Sequence, residues 1–256
     1  MKKLTFHLIV FLALMISQWS QSQTAPVKDE LAKAQTLAKE GKTDEASKIY
    51  TGIMASYPDV KEAVQGWLMI NMKRSPTGEE EAIKQLEELG KSYPDNTGIL
   101  FFKAFIQAEN KHYDEALACF DHLTKLQPDT AVNWVGKGQV LSFMNRTEDA
   151  LNAFMKATSL DPKRFDVWGM QADALLKLSR YDEAIAAYTK AIEIAPGYPV
   201  LIYNRGCAHS RKGDKTSALA DLRKAISIDP QFKASAPRDE DYKNLWEEEE
   251  FKILTR

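Results

Sequence analysis

Residues Tyr181-Asp182-Glu183-Ala184-Ile185-Ala186-Ala187-Tyr188-Thr189-Lys190-Ala191-Ile192-Glu193-Ile194-Ala195-Pro196 carry the pattern from which the whole chain can be read. Ala184, Tyr188 and Ala191 stand at i, i+4 and i+7, which lays one apolar stripe along a helix. Asp182 and Glu183 put carboxylates in the first turn, where they complement the positive end of the helix dipole. Pro196 has no amide donor and disfavours helix in the residue before it, so the helix closes there.

The pattern repeats in both directions. Pro58, Pro94, Pro128, Pro162, Pro196 and Pro230 are separated by 36 residues once and then by 34 each time. Twelve residues before each proline stands an alanine: Ala46, Ala82, Ala116, Ala150, Ala184 and Ala218. Four residues after each alanine comes a large apolar side chain: Tyr50, Leu86, Phe120, Phe154, Tyr188 and Leu222. Twelve before the alanine the residue is usually small, as at Ala34, Ala104, Gly138, Ala172 and Gly206. Small residues on two antiparallel helices let their backbones approach, so the two positions mark a crossing of paired helices. Gly41, Gly213, Asn110 and Asn145 mark the tight turn within the pair.

A period in this range signals a repeat architecture in which each unit buries its apolar face only against its neighbours. The motif resembles the tetratricopeptide repeat. The likeness is carried by Tyr181 to Pro196, by Trp134 and Trp168 near the start of their repeats, and by Tyr203-Asn204-Arg205-Gly206. The resemblance implies an all-α fold, a right-handed α-solenoid of six helix-turn-helix repeats. Their expected bounds are about 27–60, 61–96, 97–130, 131–164, 165–198 and 199–232. Repeat 1 has Glu30-Leu31 where an aromatic is usual, and repeat 2 has Leu68 at the small position. Repeat 2 also carries two extra residues near Ser75-Pro76-Thr77-Gly78, which lengthen its turn. In the remainder, 233–256, Lys233 to Pro237 reads as a loop. Asp239 or Asp241 then caps a last helix carrying Tyr242, Leu245, Trp246, Phe251 and Leu254, with Glu247 to Glu250 on its solvated side.

The N-terminus reads as a signal peptide. Met1-Lys2-Lys3 is a positive start, Leu4 to Ile16 is apolar apart from Thr5 and His7, and Ser17 to Gln23 is polar. That apolar run falls short of the about 20 residues that span a bilayer as a helix. The leader resembles those of bacteria, of the Bacteroidetes kind, and no cysteine near its exit suits a lipid anchor. Residues 1–23 are thus expected to be removed, leaving an exported product in the periplasm or outside the cell, not a lipoprotein. Their removal takes Lys2 and Lys3 and no acid, which moves the formal charge from −2 to −4. So balanced a charge gives no support for nucleic-acid binding.

Catalytic constellations are missing from the sequence pattern. His112, His122 and His209 have no partners at metal-ligand spacing, the glycines form no phosphate loop, and Cys119 and Cys207 read as buried thiols. No enzyme, cofactor or metal is expected. Asn145-Arg146-Thr147 is a formal glycosylation sequon that chance also produces. Asp129-Thr130-Ala131 resembles the Asp-Thr-small motif on which Bacteroidetes attach O-glycans, which makes Thr130 a candidate modification site.

Function is therefore sought in the concave face, which repeat arrays use for binding. By resemblance to the family the first helix of each repeat lines that face. Its candidates are Phe101 and Phe105 in repeat 3, and Val132, Val135, Gln139 and Phe143 in repeat 4. Repeat 5 supplies Asp166, Asp173 and Lys177, and repeat 6 supplies Tyr203 and Arg211, with Cys207 between them. Phe101 and Phe105 lie in a stretch, Ile99 to Ile106, that is apolar but for Lys103. Such a helix either packs on several sides or presents anchors to a partner. The Lys-and-Asn clamp of the chaperone-tail-binding subset is not found. The expected function is a non-catalytic scaffold of the cell envelope that binds a protein or peptide segment in the groove. The alternative is a chaperone-like holder of exported or outer-membrane clients.

Overall fold

The computed structural model describes residues 25–72 and 78–256. The expected signal peptide lies outside the described residues, as does most of the expected longer turn at 75–78. Every regular element among the described residues is a helix, and none is long and apolar enough to cross a membrane. The chain divides into two compact units, Met1–Pro128 and Asp129–Arg256.

The first unit contains α1 (Ala25–Lys39), α2 (Thr43–Ser56), α3 (Lys61–Met72), α4 (Gly78–Ser92), α5 (Thr97–Glu109) and α6 (Tyr113–Leu126). Consecutive helices pack in pairs, and the second helix of each pair ends just before a proline-led turn. Tyr57, which precedes Pro58, has φ −135 and ψ 82, the extended backbone that a following proline enforces. The periodic alanines and their apolar followers are the interior: Ala34, Ala46, Ile53, Ala63 and Ala104 are all fully buried. Leu68 is buried too, so repeat 2 accommodates a large side chain at its small position. Asn96 ties the third pair to the first. Its side-chain oxygen caps α5 by accepting from the Ile99 amide at 2.9 Å, while its Nδ2 donates to the Met54 carbonyl at 2.8 Å.

The second unit contains α7 (Ala131–Phe143), α8 (Thr147–Leu160), α9 (Phe165–Lys177), α10 (Tyr181–Ile194), α11 (Pro199–Lys212) and α12 (Lys215–Ile228). Ala150, Ala172, Ala184, Tyr188, Ala218 and Leu222 form its core with no exposed surface. Gly138 is required by close approach, since a Cβ there would press into the Phe154 ring. Within the helix pairs the turn residue is left-handed at five equivalent places: Gly41, Lys111, Asn145, Ser179 and Gly213. In the third repeat it is Lys111, not the neighbouring Asn110, that adopts this conformation.

The C-terminal segment differs from the single capping helix expected from the sequence. Lys233 to Pro237 is not a loop: α13 (Gln231–Ser235) runs into a 3-10 turn over Ala236–Arg238. Asp239 then accepts from the Asp241 amide at 3.0 Å and opens a 3-10 helix, Glu240–Leu245, before α14 (Glu249–Thr255). Tyr242 and Leu245 explain the tighter winding. At i and i+3 they eclipse on a 3-10 helix and both reach zero exposure against α11. The acidic run is largely exposed, and three of its carboxylates meet basic side chains at the surface. Glu248 pairs with Lys215 and Glu250 with Arg223, both on α12, while Glu247 reaches Lys252 at 2.9 Å.

Candidate functional site

In the second unit, α9, α10, α11 and the Asp239–Asp241 turn enclose a cleft of about 400 Å³. Asp173 and Lys177 stand one turn apart on α9, and Asn204, Cys207 and Arg211 recur at helical spacing on α11. Tyr188 rises from α10 and donates its hydroxyl to Asp173, which also accepts from Asn204 Nδ2 at 3.3 Å. Although much of Asp173 is open to solvent, the protein packed around it raises its pKa, against the pull of Tyr188, Asn204 and Lys177. The same burial, reinforced by the Asp173 charge and by the hydrogen bond to it, pushes the Tyr188 phenol far up.

On the other wall Asp239 accepts from Tyr203 at 2.8 Å and from the Cys207 thiol at 3.8 Å. Arg211 donates to Asp241 at 2.7 Å and to the Tyr181 hydroxyl at 3.3 Å. Burial first, then the nearby Asp239 and Asp241 charges, drives the Cys207 thiol pKa well up. Cys207, Asp239 and Asp241 have ligand-type atoms within 4.8 Å of one another, a grouping the sequence pattern did not reveal. A thiol held in its protonated form is a poor metal ligand, and Asp241 is already paired with Arg211 at 2.7 Å.

Of the residues expected to line the groove, the structure gathers Asp173, Lys177 and Arg211 at this cleft, with Tyr203 reaching it through Asp239. The others lie elsewhere. Val132 and Val135 are buried, Gln139 is half-buried, and Phe143 at the end of α7 is 63% exposed. Asp166 is held by Arg164, whose Nε donates at 3.0 Å. Phe101 belongs to the interior of the first unit, only 4% exposed and edge-on to Phe102 and Phe120. The Lys61 ammonium lies 4.8 Å from the centre of its ring, and burial brings the Lys61 pKa down to about 7. Phe105 is half-buried against the same core. Thr130 is the half-exposed residue before α7 and its side chain makes no capping hydrogen bond.

Sequence reasoning missed Tyr188, Asn204, Asp239 and Asp241. Tyr188 was visible as a periodic core residue, and Asn204 as the neighbour of Tyr203 in the repeat motif. Asp239 and Asp241 read as helix caps, and only their packing on α11 turns them toward the cleft. Among the described histidines, His112 hydrogen-bonds to Gln107 and His122 lies 2.9 Å from Asp95, while His209 Nδ1 is 3.3 Å from Asp214 without a hydrogen bond to it. The first unit has a separate, more apolar cleft of about 520 Å³, where Ala38, Tyr50, Met69 and Ile70 meet Lys39 and Glu62.

Family models described as tetratricopeptide repeat match residues 97–130, 135–199 and 200–232, together more than half of the chain. Among curated proteins none matches. Several solved structures do. PilF of Pseudomonas aeruginosa is 16% identical with a TM-score of 0.59, over 86% of this chain and 96% of that one. MamA of Desulfovibrio magneticus RS-1 is 20% identical with a TM-score of 0.59, over 67% of this chain and 96% of that one. YrrB, described as having an unusual peptide-binding site, is 17% identical with a TM-score of 0.50, over 82% of this chain and 91% of that one.

Proposed function

Since the chain belongs to the tetratricopeptide repeat family, whose members generally mediate protein–protein contacts, we propose that it is a non-catalytic scaffold that binds a partner's peptide segment in the cleft of its second unit. One observation carries the reading: first-helix residues of two successive repeats, Asp173 and Lys177 with Asn204 and Arg211, converge on one open cleft. Polar groups at fixed positions on rigid helices suit recognition of an extended segment, since little order is lost on binding. A relative of the same fold described as a peptide-binding protein, YrrB, supports the assignment. The leader-like N-terminus supports a role in the cell envelope or outside the cell, and the Asp129-Thr130-Ala131 motif supports Thr130 as a candidate site of O-glycosylation.

A photocrosslinking amino acid at exposed Lys177 tests the proposal, with the same amino acid at exposed Lys156 on α8 as the comparison. In an envelope extract the Lys177 variant should trap one partner at near-equal ratio, lost when Asn204 and Arg211 are both changed to Ala. Trapping of many proteins from both positions would favour the client-holding alternative. No crosslink at Lys177 would sink the groove assignment.

A further inference from the structure

The charges around the cleft do not balance locally. Three carboxylates line it, Asp173, Asp239 and Asp241, against Lys177 and Arg211. Arg211 is taken up by Asp241 at 2.7 Å. The hydrogen-bond donors to Asp239 are neutral: the Tyr203 hydroxyl, the Cys207 thiol and the Asp241 amide. Asp173 is likewise held by the neutral Tyr188 hydroxyl and Asn204 amide, with Lys177 acting on it only at longer range. Two partly desolvated carboxylates therefore share one cation at the rim. A carboxylate removed from water without a matching positive charge is costly, and a cation that arrives later offsets the cost.

We propose that the cleft takes a cationic side chain, a lysine or arginine of the partner, seated between Asp173 and Asp239. The inference rests on the binding role assigned above and names its chemistry. The walls suit such a chain: Leu176 is apolar enough to lie along an aliphatic stem, while the two carboxylates receive its charged head. Because Tyr188 and Asn204 hold Asp173, and Tyr203 holds Asp239, both acceptors are positioned before the cation arrives. Lys177 and Arg211 guard the flanks, so an anionic segment meets Asp173 and Asp239 in opposition and has one unengaged cation to meet.

The test uses three fluorescein-labelled dodecapeptides of one Gly-Ser-Leu background, bearing three lysines, three glutamines or three glutamates. Anisotropy titrations against the full chain should give the lysine peptide at least about tenfold tighter binding than the glutamine peptide, as expected for charge-assisted contacts. Asp173→Asn and Asp239→Asn should each erase most of that ratio, while Glu45→Gln, an exposed acid of the first unit, should leave it unchanged. Equal binding of all three peptides would overturn the cation inference while leaving peptide binding intact. So would preference for the glutamate peptide, or an equal loss in Glu45→Gln. Binding of none of them would overturn the inference and remove the cleft as a peptide site.

Discussion

The backbone of Gly206 on α11 lies so close to the Tyr242 hydroxyl that a Cβ added there would overlap it, and that hydroxyl donates to the Tyr203 carbonyl at 3.0 Å. The glycine of the last repeat thus keys the C-terminal segment onto the array. A solenoid must cover its terminal apolar face, and here a 3-10 turn, not a longer α-helix, does so. Gly206→Ala should destabilise the protein by about 1–3 kcal/mol through overpacking. Tyr242→Phe, which keeps the ring and loses the hydrogen bond, should cost only about 1 kcal/mol. Urea denaturation of both variants would show it; equal midpoints would mean that the contact is slack.

Phe101 is a core residue, and its removal should act on folding rather than on recognition. Phe101→Ala is expected to cost about 3–5 kcal/mol, the usual price of emptying an aromatic core site. Its half-buried neighbour, changed as Phe105→Ala, should cost less. Chemical denaturation reads both, and a near-neutral Phe101→Ala would return that side chain to the list of groove anchors.

Lys61 makes a pH-dependent contribution of defined sign. Its folded pKa, near 7, lies below its ordinary value, so between about 7 and 10.5 the unfolded chain holds more protons. Stability from this group therefore rises with pH across that window and is poorest below it. Lys61→Met should stabilise the protein by a few kcal/mol, on the order of 1.4 per pKa unit, below pH 7 and by little near pH 10. Denaturant midpoints of wild type and variant at pH 6, 8 and 10 would show the difference shrinking; a constant gap would deny the shift.

Asp173 runs the opposite way. Its raised pKa means that ionisation in the folded state costs stability, so its contribution falls as pH climbs from the unfolded value, about 3.9, through the folded one. Asp173→Asn should raise the melting temperature at pH 7, by no more than a few degrees because the residue is largely exposed. The gain should fade near pH 4. A variant that melts higher and binds a cationic peptide less well would show that stability is given up here for function. A lower melting temperature at pH 7 would refute the reading.

The proline-and-alanine period revealed the helices and their interior, because Ala150, Ala184 and Ala218 recur in sequence and are buried in the fold for the same reason. It could not reveal which side of a first helix stays open. Val132 and Val135, on the side opposite Gly138, are buried as well, so the side away from the small crossing residue is not by itself the open one. The charged cleft was half legible: Asp173, Lys177 and Arg211 follow from helix phase. Tyr188 was hidden by its second role as a core residue, and Asp239 and Asp241 come from a segment outside the repeat, whose placement no period encodes.

The left-handed residues between paired helices, Lys111, Asn145 and Ser179, take a backbone state that costs a non-glycine residue about 1 kcal/mol, while Gly41 and Gly213 take it freely. All five sit at the same distance before their proline and all are exposed. The two extra residues of repeat 2 fall in the sequence at this same junction. The hairpin tip is thus a joint that tolerates added length, because neither the crossing alanines nor the proline stop depends on it. New surface can be grafted there, one repeat at a time, without renegotiating the core.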